Sequence, residues 1–273
     1  MPLADRFDGL LIDLDGVVWI GAGAVPGSVG ALRELQAAGK RIAFVTNNPG
    51  RLPEAYAERL RELGIEVGTE QIVTAGMVVA RLAGEAAGAG GSAFVIGRSA
   101  LKEMVATTGA RLLEGADAEQ ADVVVVSGHR GFDYGELKAA KFALDNGARL
   151  FATSHDPTMP FPGGELPGTG AVLAAVEVAS GKQATIAGKP ERHLFEMAME
   201  AVRCSFLADS NKKEQDNLRL AMVGDRISSD IEGGRRAGLE TILVLSGTTS
   251  REEAEAADPA PDFLLEDLAG LLR

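Results

Sequence analysis

Short apolar runs alternate with amphipathic stretches along almost the whole chain. FDGLLIDLDGVVW (7–19) reads as a buried strand with two aspartates, Asp13 and Asp15, near its end. RIAFVTNN (41–48), GSAFVIG (91–97), ADVVVVSG (121–128), ARLFATS (148–154), LRLAMVGD (218–225) and LETILVLSG (239–247) read as further strands. Between them, residues 52–63, 74–87, 99–108 and 134–146 carry apolar side chains at helical spacing, and Pro53 suits the first turn of its helix. Strands apolar on both faces need cover on both, so this βαβα rhythm predicts an α/β fold of parallel sheets flanked by helices.

Two Gly-bearing stretches, GEAAGAGGS (84–92) and ASGKQATIAGKP (179–190), punctuate that rhythm. They predict a discontinuous layout, with a core built from residues 1–88 and 184–273 and a second α/β domain inserted at 89–183. SFLADSNKKEQDNLRL (205–220) reads as a polar surface loop, and SHDPTMPFPGGELPG (154–168) as a loop of the inserted domain.

Composition then narrows the function classes. A formal net charge of −12 with no basic cluster argues against general nucleic-acid binding. No run approaches the ~20 apolar residues of a membrane helix, and the first residues lack the basic-then-apolar pattern of a leader. The single cysteine, Cys204, fits a reducing compartment. A cytoplasmic protein that binds neither nucleic acid nor membrane is expected.

Four segments place polar groups just beyond an apolar run. They are Asp13 and Asp15 after GLLI, Thr46-Asn47-Asn48 after RIAFV, Lys189 after ATIAG, and Asp225 with Asp230 after LRLAMV. Ligands of parallel α/β sheets sit outside the carboxyl ends of the strands, so these groups are expected to share one crevice. Residues i and i+2 of an extended chain share a face, so Asp13 and Asp15 are expected to oppose each other's ionisation until a cation or proton relieves them. Each segment alone has a plainer reading: a solvated Asp pair, a turn at TNNPG, a helix N-cap at Asp225, a surface lysine at 189. A loop, not a strand, precedes GTGAVLAA (168–175), which argues against a dinucleotide fingerprint, and the three histidines lack metal-ligand spacing.

In chain order, DLDGVVW, VTNN, GKP and GDRISSD resemble the four motifs of the haloacid dehalogenase superfamily of phosphotransferases. The insertion between the second and third motifs resembles that of the large-cap NagD-type branch, as do GFDYGELKAAKFALDNGARLFATSHDPTMP and PGTGAVLAAVEVASGKQATIAGKP. The resemblance implies a Rossmann-like core with an α/β cap. It also implies Mg²⁺-dependent hydrolysis of small-molecule phosphate monoesters through an aspartyl-phosphate. Asp13 is then the nucleophile and Asp15 the general acid and base. The Asp13 carboxylate, the Asp15 backbone carbonyl and Asp225 become the Mg²⁺ ligands, with Asp230 orienting a metal-bound water. Thr46, the Asn47 N–H and Lys189 are implied to hold the phosphoryl group. The 154–168 loop is implied to choose the leaving group through His155, Asp156 and Met159. Thr153-Ser154-His155-Asp156 departs from the Thr-Asn-Pro-Asp common among relatives, so no substrate is implied. A homodimer is expected. A phosphotransferase or phosphomutase, and a non-catalytic phospho-sensor or interaction protein, stay open as alternatives.

Overall fold

A computed structural model describes residues 1–161, 164–205 and 218–273. In chain order the elements are β1 (Gly9–Asp13), β2 (Trp19–Ile20), β3 (Gly23–Ala24), α1 (Ser28–Ala37), β4 (Arg41–Thr46), α2 (Pro53–Glu62), β5 (Ile72–Thr74) and α3 (Ala75–Ala87). Then come β6 (Ser92–Ile96), α4 (Ser99–Thr107), β7 (Arg111–Leu112), β8 (Val123–Val126), α5 (Tyr134–Asp145), β9 (Arg149–Ala152), β10 (Thr158–Phe161), β11 (Gly164–Pro167), α6 (Thr169–Ser180) and β12 (Thr185–Ile186). The remainder is α7 (Arg192–Cys204), β13 (Leu220–Gly224), α8 (Glu232–Arg236), β14 (Glu240–Val244), α9 (Arg251–Ala256) and β15 (Phe263–Leu265). The chain divides into two compact units, residues 1–46, 53–73 and 189–273 in the first, residues 47–52 and 74–188 in the second.

The first unit is built on a six-stranded sheet of order β15-β14-β13-β1-β4-β5. Pairings from β15 through β4 are all parallel. Every residue of β1 and β13 is buried, as double-sided cover requires. Leu10, Ile12, Phe44, Ala221, Val223 and Ile242 share one core with Leu32 and Leu35 of α1 and Leu60 of α2. On β1 and β4 the partner is α7, whose Val202 would meet a Cβ added to Gly9 at 2.7 Å.

The second unit has its own parallel sheet of order β12-β9-β8-β6-β7. Successive strand residues face opposite sides. Phe94, Ile96, Val124, Val126, Leu150 and Ala152 accordingly pack with Ala139, Ala143, Leu173 and Val176 of α5 and α6. Helix α3 lies against β8 and β9 and against α4. Its start is capped by Thr74, whose Oγ1 accepts from Met77 N at 3.2 Å. Where the sequence reads as a loop at 154–168, β10 and β11 form an antiparallel pair, with Thr158 opposite Pro167 and Met159 opposite Leu166. The surface loop expected at 205–220 falls mostly on 206–217, outside the described residues. Among the described residues no helix is long and apolar enough to cross a membrane.

Candidate active site

Strand β1 ends on Asp13, which lies opposite Val45 of β4, while the preceding Ile12 lies opposite Val223 of β13. Thr46 and Asp225 therefore follow directly beside it at the carboxyl edge of the sheet. Chain order runs from β1 to β4 on one side and reaches β13 on the other only after the second unit. That reversal is where the loops at strand ends part and leave a crevice.

Lys189 Nζ lies 2.6 Å from Asp13 Oδ1 and 2.6 Å from Asp230 Oδ1, with no side chain of the three more than 8% exposed. Asp230 sits in a π-helical turn, Ile227–Ile231, and its Oδ2 accepts from Arg226 N at 3.0 Å. Asp225 Oδ2 accepts from Thr248 N at 2.7 Å. Its Oδ1 is buried with no hydrogen-bond partner among the described residues. One carboxylate oxygen from each of Asp13, Asp225 and Asp230 lies within 4.8 Å of the others.

This crowding governs the ionisation. Burial pushes Asp13 well above the usual carboxylate range, against the pull of Lys189, and the charges of Asp230 and Asp225 add to the rise. Burial and the Asp230 charge raise Asp225, against the N–H of Thr248. Burial alone would lower the Lys189 ammonium, but Asp13 and Asp230 outweigh it and hold the lysine protonated. Three buried carboxylates beside one ammonium, with one oxygen lacking any donor, match the hard oxygen ligands that Mg²⁺ takes. Glycines permit the close approach. A Cβ at Gly16, where φ is +89°, would stand 2.3 Å from Asp225 Oδ2, and one at Gly247 would stand 2.0 Å from it.

Asp15 departs from the strand-based expectation. The strand stops at Asp13, so alternation does not carry on to Asp15, whose side chain is exposed and accepts from Trp19 Nε1 at 3.0 Å. The carboxylates that oppose ionisation of Asp13 are Asp230 and Asp225, from a distant part of the chain, rather than Asp15. Lys189 also arrives by another route than expected. The strand before it, β12, pairs with β9 in the second unit's sheet, so Lys189 is placed by the segment leading into α7 and not by a strand of the first sheet. Asn47, His155, Asp156 and Met159 belong to the second unit, where Asn47 Nδ2 donates to Asp156 Oδ2 at 3.4 Å. His155 is exposed and Met159 is half-buried. Sequence reasoning missed Trp19, Gly247 and Thr248. The last two lie just after β14 and carry no charge to draw notice.

Comparison with known proteins adds a second line of evidence. Residues 10–111 match the family model described as haloacid dehalogenase-like hydrolase, and residues 186–271 match a related HAD-hydrolase-like model. Human chronophin is 36% identical, over 97% of this chain and 92% of that protein. Human glycerol-3-phosphate phosphatase is 35% identical, over 99% of this chain and 91% of that protein. Among solved structures, glycerol phosphate phosphatase from Mycobacterium tuberculosis in complex with magnesium superposes with a TM-score of 0.87 at 33% identity, covering 100% of this chain and 78% of that one. The p-nitrophenyl phosphatase from Archaeoglobus fulgidus gives 0.84 at 29% identity, covering 97% and 98%. With its acidic cluster at the switch point of a parallel sheet, its inserted α/β unit and these matches along nearly its full length, the chain belongs to the haloacid dehalogenase-like hydrolases, in their NagD-type branch.

Proposed function

We propose that the protein is a Mg²⁺-dependent phosphatase of small phosphate monoesters, with Asp13 as nucleophile. The observation that carries this reading is the buried Asp13–Lys189–Asp230 ion triad set beside Asp225, with its unsatisfied oxygen. Uncatalysed phosphate monoester hydrolysis is among the slowest of biological reactions, and its catalysis rests on positioning and charge stabilisation. Lys189 holds Asp13 Oδ1, leaving Oδ2, which no described residue engages, to attack phosphorus. Asp15 protonates the departing alkoxide and later deprotonates the water that cleaves the aspartyl-phosphate. Thr46 Oγ1, the Asn47 N–H and the Lys189 ammonium bind the phosphoryl oxygens. Asp13, Asp225 and the Asp15 carbonyl hold Mg²⁺, with Asp230 alongside. The bound ion supplies charge neutralisation for the phosphoryl group.

Relatives named for glycerol phosphate and p-nitrophenyl phosphate favour compact esters, and a polyol or sugar phosphate is the substrate class proposed. His155, Asp156 and Met159 are proposed to choose among leaving groups, which a substrate screen of their alanine variants checks. A cytoplasmic homodimer is proposed, and light scattering reads its mass. The defining test replaces Asp13 by Asn and follows p-nitrophenyl phosphate hydrolysis with Mg²⁺. Turnover is expected to fall to background, and undiminished turnover would overturn the reading.

A further inference from the structure

We propose that Trp19 is a positioning residue for Asp15, fixing which carboxyl oxygen carries the proton given to the leaving group. This rests on the phosphatase reading above and adds a residue to it. Trp19 is completely buried, yet its one polar hydrogen goes to the exposed carboxylate of Asp15, with Nε1 3.0 Å from Oδ1. The backbone between them is tied down. Val18 N and Trp19 N both donate to Leu14 O, at 2.9 and 3.1 Å, and Gly16 N donates to Trp19 O at 2.7 Å. The ring is clamped as well. The Arg59 guanidinium carbon lies 3.9 Å from its centroid, and Arg59 Nη2 donates to Gly21 O in the β2–β3 turn.

An indole N–H donates and never accepts, so Oδ1 is the acceptor, and because a carbonyl oxygen accepts better than an acid O–H, this contact favours the proton of Asp15 on Oδ2. Among the described residues nothing engages Oδ2. Asp15 is thus held by one oxygen and open at the other. In the first step the Asp13 oxygen bonds to phosphorus as the ester P–O bond breaks. The Oδ2 proton passes to the departing oxygen, giving free alcohol and ionised Asp15. In the second step water attacks phosphorus and gives its proton to Asp15, releasing inorganic phosphate and the Asp13 carboxylate.

Leaving-group dependence separates this role from simple packing. A weakly basic p-nitrophenolate departs without a proton, whereas the alkoxide of glycerol 3-phosphate needs one. The value of kcat/KM reports the step in which that group leaves. Trp19→Phe keeps the ring and removes the N–H. It is expected to lower kcat/KM for glycerol 3-phosphate about 10–100-fold, part of what a general acid contributes, with a loss at least about tenfold smaller for p-nitrophenyl phosphate. Trp19 is the sole tryptophan of the chain, so an isosteric benzothienyl analogue lacking the N–H can replace it biosynthetically if the Phe variant fails to fold. Equal loss on both esters, or loss on neither, would overturn the inference while leaving the phosphatase reading intact. A wild-type protein that hydrolyses neither ester would end both.

Discussion

Replacing Lys189 by Met removes one charge from a buried cluster and keeps an unbranched side chain of similar length. Of the groups acting on Asp13, Lys189 alone favours its ionised form. At an effective dielectric of about 20, each contact of 2.6 Å carries about 6 kcal/mol of attraction. Desolvation of the ammonium and repulsion among the carboxylates offset much of that. The net cost of deleting one partner from a buried ion pair is about 3–5 kcal/mol. For a chain of this size that corresponds to a fall in melting temperature of about 6–20 °C. The assay is calorimetric unfolding in excess EDTA and again in excess Mg²⁺. In EDTA the variant should melt lower by that amount, and Mg²⁺ should recover part of the loss by supplying positive charge. Adding Asp230→Asn to Lys189→Met should also recover stability, because it removes one of the stranded carboxylates. Turnover should fall by about 10² or more, since the phosphoryl group loses a fixed cation. A Lys189→Met protein as stable in EDTA as the wild type would show that the ammonium does not hold these carboxylates together.

Other expectations follow from the same geometry. Asp225 is raised by burial and by Asp230. Its contribution to metal-free stability is therefore present below its ordinary value of 3.8 and lost as pH rises through the folded value. Asp225→Asn should consequently raise the melting temperature in EDTA at neutral pH, lose that advantage toward pH 3.8, and abolish activation by Mg²⁺. No gain in EDTA would contradict this. In the second unit, Asp122 Oδ2 accepts from Ser92 Oγ at 2.6 Å and Ser92 N at 2.8 Å, and these bonds lower its carboxyl. That stability is present above the ordinary 3.8 and lost as pH falls through the folded value. Asp122→Asn should cost under about 1 kcal/mol at neutral pH, given its exposure, and chemical denaturation should show the difference closing in acid.

Long apolar runs were legible in the sequence because a strand covered on both faces must be apolar along its length. Strands β1, β4, β6, β8, β9, β13 and β14 all lie within the runs read as strands. Strands β2, β3, β7 and β15, of two or three residues, were not, since they are too short to show a period. The acidic residues stood out because charge at the end of a buried strand demands compensation. What supplies it was only partly readable. Lys189 comes from a segment outside the first unit's sheet, and no local spacing links it to Asp13, 176 positions earlier. The Asp13–Asp15 pair misled for a definite reason. Period-two alternation holds only while the chain stays extended, and the turn held by Leu14 O begins right after Asp13. Trp19 escaped notice because an aromatic residue after an apolar run reads as core, which it also is.

On the proposed mechanism Asp13 and Asp225 share one divalent ion beside the reactive Asp13 oxygen. Its most direct test is a crystal structure of the protein grown with Mg²⁺ and beryllium fluoride, which mimics a phosphoryl group on a carboxylate. The expected result is a single metal with oxygens of Asp13 and Asp225 at about 2.1 Å and beryllium bonded to Asp13. A metal bound away from these two residues, or beryllium fluoride absent from Asp13, would contradict it.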